Sequence, residues 1–173
     1  MSAVYVDSIK DKSDTKTLAT LSSSAVTLHS DVVYPAGMIR QVVSTQATSY
    51  SATTNSYIDV FSDLQITTKG ANKILVIGNI NGIVMFDAAG AIRFNLTDGS
   101  SAIQTLTTNY ASGSNSADDP GGSFGFQHLT GALTANTTYT YNVEFKNSVN
   151  SSSARVSGDA NSIRTLTLME IQQ

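Results

Sequence analysis

The feature of this sequence that most restricts its fold is an alternation of apolar and polar residues, which begins after Gly37 and continues to the C-terminus. Segments 92–97 and 139–146 show it best, because every second side chain in them is apolar. Successive side chains of a strand point to opposite faces, so each segment presents one face to a core. No segment of a dozen residues has the 3.6-residue period of an amphipathic helix. The chain is therefore predicted to be all-β, with a core that includes Ile92, Phe94, Leu96, Tyr139, Tyr141, Val143 and Phe145.

Further strands are predicted at 39–43, 57–66, 73–80 and 163–171, where apolar and β-branched residues are dense. Segment 73–80 is apolar at nearly every position, which predicts a central strand buried on both faces or one packed against another subunit. Roughly eight strands separated by short turns are typical of an antiparallel β-sandwich, with a jelly roll as the expected type. The first and last strands of the body are expected to pair in one sheet.

The chain divides by composition into a leader, residues 1–36, and a body, residues 37–173. The leader has only three weak strand candidates, at 4–9, 18–21 and 25–28. Ordering a backbone costs about 1–2 kcal/mol per residue, which so few apolar side chains do not offset. The leader is therefore predicted to be an extended N-terminal anchoring arm that becomes ordered by docking on a neighbour. Its anchoring strand is predicted to include Val4, Val6 and Ile9.

Charge and cysteine content argue against several functions. Only 13% of the residues are charged, and the formal net charge is −3, with no cluster of Lys and Arg that would predict nucleic-acid binding. The chain has no cysteine, which removes disulfides, thiolate metal sites and a cysteine nucleophile. No apolar run approaches the ~18 residues of a membrane span, and no signal peptide is predicted. Membrane insertion is not expected.

Catalytic groups are scarce. His29 and His128 are the two histidines, and no sequence signature supplies the nucleophile and orienting carboxylate that a general base would need. A glycan hydrolase needs paired carboxylates, yet Glu144 and Glu170 fall in predicted strands rather than loops. The sequence therefore predicts a protein that is not an enzyme and has no cofactor and no metal.

The stretch 110–122 is predicted to be a long surface loop. Its Asp118 and Asp119 offer the oxygen ligands that Ca²⁺ prefers, but adjacent carboxylates point in different directions, and Pro120 with Gly121 favours a solvated turn. Tyr110 lies beside this loop, and an exposed tyrosine can stack on a sugar. Tyr110, Asp118 and Asp119 are therefore the candidate ligand-contact residues.

Several segments occur in an order that resembles a β domain common in structural proteins of tailed bacteriophages, especially marine ones. They are Gly37–Val43, Ile58–Val60, Leu64–Lys69, Asn72–Val76, Arg93–Gly99, Thr138–Tyr141 and Leu166–Ile171. The leader segment Val6–Ser13 is similar to the N-termini of phage fibre and virion proteins. The resemblance implies a trimeric, jelly-roll-like head on a virion component. Where that family has an Asp-Ser/Pro turn before the Thr-Tyr strand, this chain has Leu129–Thr134, so the loops imply no ligand.

These observations predict a non-enzymatic virion structural protein that forms a homotrimer and binds other virion proteins, a capsid or a tail adaptor, through residues 1–36. A fully extended arm of that length reaches at most ~120–130 Å, which favours a capsid decoration protein or a short fibre over a long tail fibre. The alternative is a tail-fibre receptor-binding tip that recognises host surface glycans. A glycan hydrolase ranks third.

Overall fold

The computed structural model describes residues 8–10, 17–21, 26–28, 35–47, 51–53, 56–85, 92–110, 122–147, 154–156 and 163–173. The chain separates into two compact units, Met1–Pro35 and Ala36–Gln173, and each unit is described by itself.

The described part of the first unit is a small antiparallel sheet of three strands in the order β1-β2-β3. Ile9 pairs with Ala19, and the register shifts between Ile9 and Lys10. The predicted strands at 18–21 and 25–28 are confirmed to within a residue, and residues 4–7 of the remaining candidate lie outside the described residues. The strands are β1 (Ser8–Lys10), β2 (Thr17–Leu21) and β3 (Val26–Leu28).

The second unit contains eleven strands and no helix in the residues that the structure describes. The strands are β4 (Ile39–Ala47), β5 (Ser51–Thr53), β6 (Ile58–Asp59), β7 (Leu64–Thr67), β8 (Lys73–Met85), β9 (Ile92–Thr97), β10 (Ala102–Tyr110), β11 (Gly122–Leu129), β12 (Thr138–Asn147), β13 (Ala154–Val156) and β14 (Arg164–Ile171).

These strands form two antiparallel sheets. The larger sheet has the order β4-β14-β8-β13-β5, with β11 also on β8. Residues 75–79 of β8 pair with both β14 and β11, so those two strands occupy opposite edges of β8. The smaller sheet has the order β10-β9-β12-β6, with β7 also on β12.

The connectivity is that of a jelly roll. Counting β4 with β5, β6 with β7, and β13 with β14 as interrupted single strands leaves eight strands in chain order. The larger sheet then reads first, eighth, third, sixth, and the smaller reads second, seventh, fourth, fifth. The predicted jelly-roll-like sandwich is confirmed, as is the pairing of the first and last strands of the body, β4 with β14.

The core lies between the sheets and is built by the predicted alternation. On β12, Val143 and Phe145 are fully buried and Tyr141 is nearly so, while Tyr139 is half-buried against the core. Four phenylalanine rings cross from one sheet to the other. Their centroids are 6.2 Å apart for Phe126–Phe124, 4.9 Å for Phe124–Phe94 and 5.6 Å for Phe94–Phe145. The buried apolar residues are Val60, Phe61, Ile66, Ile74, Val76, Ile80, Ile83, Ile92, Phe94, Leu96, Tyr141, Val143, Phe145, Val156, Leu166 and Leu168.

A buried carboxylate fixes one end of the sandwich. Glu170 has no exposed surface, and its oxygens accept hydrogen bonds from Gln41 Nε2 at 2.8 Å, the Lys69 amide at 2.7 Å and Asn72 Nδ2 at 2.6 Å. A buried carboxylate without such donors would be strongly destabilising. Glu170 therefore ties β14 to β4 and to the turn before β8, which is a structural role.

A turn at Asp98 and Gly99 connects β9 and β10. Asp98 Oδ1 accepts hydrogen bonds from the amides of Ser100 and Ser101 at 3.1 and 2.8 Å. These bonds, that of Ser101 first, hold the pKa of the Asp98 carboxyl below its ordinary value. Gly99 has a φ of 88°, a conformation in which a side chain would be strained.

Several expectations are corrected. Segment 57–66 is two short strands, β6 and β7, because a bend between them buries Val60 and Phe61. Tyr110 is the last residue of β10 and pairs with Ile92, so the predicted loop begins after it. Asn142 faces away from the core, but it is only 2% exposed because polar neighbours cover it.

The expectation that segment 73–80 is buried on both faces within one chain is also wrong. Ile74, Val76 and Ile80 of β8 are fully buried, whereas Ile77 is 36% exposed and Leu75 is half-buried. The strand is central, as predicted, but its outward side chains form part of a solvent-facing surface.

Candidate functional site: the outer face of the larger sheet

The residues predicted from sequence as ligand contacts are not assembled into a site in the described part of the chain. Asp118 and Asp119 lie outside the described residues, and Tyr110 is described only as the final backbone position of β10. Of the predicted anchoring strand, Ile9 is in β1 and pairs with Ala19, and Val4 and Val6 lie outside the described residues. Their roles stay predictions.

The structure instead brings four apolar residues from four strands into one row on the larger sheet. Val42 of β4 pairs with Met169 of β14, Met169 pairs with Leu75 of β8, and Leu75 pairs with Leu129 of β11. Cross-strand partners point to the same face of a sheet. The side chains alternate in each strand, and the opposite face of β8 and β14 is buried, so this row lies on the outer face.

The row remains open to solvent in the isolated chain. Val42 and Leu129 at its ends are 52% and 51% exposed, while Leu75 and Met169 between them are half-buried. Ile77 lies one row further along β8, with 36% exposure. We call Val42, Met169, Leu75 and Leu129 the apolar row, and Ile77 lies beside it. Exposed side chains of this size are unremarkable singly, but a contiguous group marks an interaction surface.

The apolar row continues toward one end of the larger sheet. Ile171 of β14 pairs with Ile39 of β4 and with Lys73 of β8. Ile39 is 52% exposed, and Met38 before it is 46% exposed. The surface therefore extends from β11 across the sheet to the start of β4, the first strand of the body.

Two glycines make a shallow depression beside the apolar row. It has a volume of about 450 Å³ and is lined by Ile77, Gly78, Gly125, Phe126 and Gln127. Gly125 is exposed and carries no side chain, and a Cβ added to it would have only the Gly78 carbonyl oxygen within 4 Å, at 3.6 Å. The outer surface is therefore low at Gly125, beside the paired residues Ile77 and Gln127. The depression can accept an apolar side chain from a partner.

The smaller sheet has an outer face of different chemistry. A recess of about 120 Å³ is lined by Asp59, Asp63, Thr97, Gly99, Ser100, Asn142 and Glu144. Desolvation raises the pKa of the Asp59 carboxyl above its ordinary value, and the charges of Asp63 and Glu144 act in the same direction. Across the ranges that the structure describes, no group of three or more His, Asp or Glu side chains is arranged to hold a metal ion.

The carboxylates of this recess have structural hydrogen-bond partners. Asn142 Nδ2 donates to Asp63 Oδ1 at 3.3 Å, and Asn95 Nδ2 donates to Glu144 Oε1 at 2.9 Å. Sequence reasoning missed the grouping because Glu144 is far from Asp59 and Asp63 in the chain. Only the register of β12 on β6, which pairs Glu144 with Asp59, brings the three acids together.

His128, the histidine considered for general-base chemistry, lies on β11. Its Nδ1 is 2.6 Å from Gln104 Oε1 of β10, a contact between the edge strands of the two sheets. On the opposite side of the sandwich, Gln41 Nε2 of β4 donates to the Thr67 carbonyl of β7 at 2.6 Å. His128 therefore has a place in the closure of the sandwich, and its ring contact is with an amide.

A comparison of this chain with protein-family models found no match, and a comparison with curated proteins found none either. In the described ranges, no helix is long and apolar enough to cross a membrane.

Proposed function

We propose that this chain is a non-enzymatic structural protein of a tailed-phage virion. It forms a homotrimeric surface component, a capsid decoration protein or a short fibre, and residues 1–36 attach it to other virion proteins. The observation that carries the proposal is the exposed apolar row on a jelly-roll body. Such a surface suits a protein that works by assembly.

The trimer has two separate supports. The apolar row supplies an uncharged surface that favours association, because removing apolar area from water is favourable. The number of copies comes from the resemblance to trimeric heads of phage structural proteins. The association and its stoichiometry can therefore be tested by one measurement of mass.

The proposed role of residues 1–36 in attachment is supported by the strand pairing within the first unit. Its three short strands form a sheet in which β1 and β3 each pair only with β2 among the described residues. The free edge of such a strand presents backbone N–H and C=O groups that can add a strand from another protein. This edge is a means by which a small, weakly apolar segment can hold a virion surface.

Attachment is tested in a phage that encodes this chain, by comparing the full-length protein with a variant that lacks residues 1–36. Quantitative mass spectrometry of purified particles should find the full-length protein and should not find the truncated one. Circular dichroism of the purified truncated protein provides the control, since the body should remain folded. The proposal fails if the truncated protein enters particles as well as the full-length chain does.

Stoichiometry is tested by multi-angle light scattering on the full-length protein. The expected mass is three times the 18.2 kDa of the monomer. A monodisperse monomer at all accessible concentrations would contradict the trimer while leaving the attachment role open to its own test.

The alternative is a receptor-binding tip that recognises host glycans. One observation favours it: Tyr110 and Gly122 are the last and first residues of neighbouring elements β10 and β11, so the connection between the two sheets carries Asp118 and Asp119. Binding on a glycan array that is lost in a Tyr110→Ala variant would favour this role. Retained binding in that variant, or none in the native chain, would count against it.

A further inference from the structure

We infer that copies of this chain contact one another through the outer face of the larger sheet, with the apolar row at the centre of the contact. This inference rests on the proposed oligomeric function and assigns its contact surface. Its basis is the exposure of the row, the charge pattern of the two outer faces and the size of the face.

The outer face of the larger sheet is free of charge over three consecutive rows. The row next to Val42, Met169, Leu75 and Leu129 pairs Ser44, Thr167, Ile77 and Gln127, and the following one pairs Gln46, Thr165, Asn79 and Gly125. None of these twelve positions is Asp, Glu, Lys or Arg. Charged residues begin beyond the apolar row. Lys73 of β8 pairs with Ile171, and Arg40 lies at the register shift of β4, where its Nη1 donates to Gln172 Oε1 at 3.4 Å.

The absence of charge on these three rows indicates which kind of partner can bind there. A nucleic acid, an anionic membrane or a charged peptide would bring charges to a surface with no counter-charge, and burying an unpaired charge is strongly unfavourable. The same face of a second copy brings none. The smaller sheet, by contrast, carries charges of both signs on its outer face. Asp59, Asp63 and Glu144 line the recess, and Lys146 pairs with Arg93 in the row beyond Glu144. A contact through that face would have to remove several charged groups from water, which is unfavourable.

The face is large enough for a specific contact. Strands β4, β14, β8 and β11 are paired over about eight residues, and strands rise ~3.3 Å per residue and lie ~4.8 Å apart, which gives a projected area of about 500 Å². The accessible area of a face covered with side chains exceeds its projection. It is therefore of the order of the ~800 Å² per partner that specific interfaces bury.

The outer face of the larger sheet has both projecting side chains and a depression, as a contact between copies requires. Val42 and Leu129 stand at the ends of the apolar row with about half of their surface exposed, and the depression of about 450 Å³ lies beside Ile77. A projecting side chain and a depression on the same face allow one copy to insert an apolar group into the depression of the next copy. In a closed ring, each copy would insert one such group and receive one.

The experiment uses the full-length protein and compares three variants by light scattering and sedimentation over a range of concentrations. The variant Val42→Lys/Leu129→Lys places two charges on the apolar row. The matched control is Ile103→Lys, because Ile103 is also a large apolar residue, 40% exposed, but lies on β10 of the smaller sheet. Ser44→Arg is a second test, since Ser44 is exposed and polar and tolerates a long side chain without loss of core packing.

The native chain and Ile103→Lys are expected to be oligomers of equal mass. Val42→Lys/Leu129→Lys should associate on the order of 100-fold more weakly, because like charges would meet in the contact. Ser44→Arg should weaken association in the same direction, and its far-UV circular dichroism spectrum should match that of the native chain, because the substitution leaves the core unchanged.

If both outer-face variants keep the native mass and concentration dependence, the inference is overturned while the trimer stands, and the contact lies elsewhere. If Ile103→Lys weakens association as much as they do, the assignment to this face is also wrong. A native chain that is monomeric overturns the inference together with the trimer. Particle incorporation through residues 1–36 is measured independently and separates that outcome from failure of the virion role.

Discussion

The close approach of Phe126 to Gly78 gives a quantitative test of the packing in the larger sheet. These residues are cross-strand partners on β11 and β8. A Cβ added to Gly78 would lie 2.1 Å from Phe126 Cε1 and 2.2 Å from Cζ. Carbon atoms in contact are separated by ~3.5–4.0 Å, so the ring would have to retreat by more than about 1 Å. Gly78 is required by the space that this ring occupies.

The ring has little room to retreat. Phe126 is the first of the four stacked and tilted rings, with Phe124 at 6.2 Å, and Phe124 in turn contacts Phe94 at 4.9 Å. Overpacking of this kind costs about 1–3 kcal/mol, and replacing glycine with alanine in a strand recovers about 0.5–1 kcal/mol. Gly78→Ala is therefore expected to lower the free energy of unfolding by about 1 kcal/mol, within a range of about 0–2.5 kcal/mol, and about 1 kcal/mol corresponds to a melting temperature lower by roughly 2–4 °C.

Gly125→Ala is the matched control, because Gly125 lies on the neighbouring strand and its added Cβ would meet only the Gly78 carbonyl oxygen, at 3.6 Å. That variant should be as stable as the native chain or slightly more stable. Urea denaturation followed by circular dichroism measures both, and Phe126→Ala completes a double-mutant cycle. In the Phe126→Ala background, Gly78→Ala should no longer destabilise. Equal effects of Gly78→Ala in both backgrounds, or no effect in either, would refute the reasoning.

Three further outcomes follow from burial and ionisation. Phe145→Ala should lower the free energy of unfolding by about 3–5 kcal/mol, because removal of the fully buried ring leaves a cavity. Ile103→Ala is the control, since Ile103 is 40% exposed, and it should change the free energy of unfolding by less than about 1 kcal/mol. Equal losses for the two variants in urea denaturation would contradict the assignment of the core. Desolvation, aided by neighbouring carboxylates, raises the pKa of Asp59, so the folded state binds this proton more tightly than the unfolded chain. This contribution to stability is complete below about pH 4 and is lost as the pH rises through the raised pKa of Asp59. The melting temperature of Asp59→Asn, measured against pH, should lack this decline. If Asp59→Asn shows the same pH profile of melting temperature as the native chain, the prediction is wrong. Burial raises the pKa of Tyr141 to about 12, so the stability that the neutral hydroxyl contributes is retained below about pH 10 and is lost as the pH rises toward 12. Tyr141→Phe should not show this loss of stability in alkaline unfolding. If the variant loses stability over the same pH range as the native chain, the raised pKa is wrong.

The sequence by itself determined the fold class and much of the core. Alternation is a local property, because the pleat of a strand sends every second side chain to the same face. The buried apolar residues of β9 and the buried or half-buried apolar ones of β12 could therefore be predicted without knowledge of their partners. The contrast between a weakly apolar leader and a β-patterned body is likewise a property of local composition, and the anchoring role of the leader stays a prediction.

Only the tertiary structure decided the register of the strands and which sheet faces are covered by other parts of the chain. Val42, Leu75, Leu129 and Met169 are far apart in the chain, and they form one row because three non-local strand pairings align them. The sequence showed only that β8 is apolar on both faces. It could not show that the second face is left open, because that depends on which elements pack over it.

Burial of polar groups was hidden from the sequence in the same way. Alternation assigns Asn142 to the outer face of β12, yet it is buried and donates to Asp63. Alternation assigns Glu170 to the inward face, where a charged residue is buried only because distant residues such as Gln41 supply its hydrogen bonds. A polar side chain can be buried when its partners are in place, and those partners come from strands that only the folded chain brings together. Periodicity fixed which face each side chain takes, and the pairing of distant strands decided which faces meet a partner.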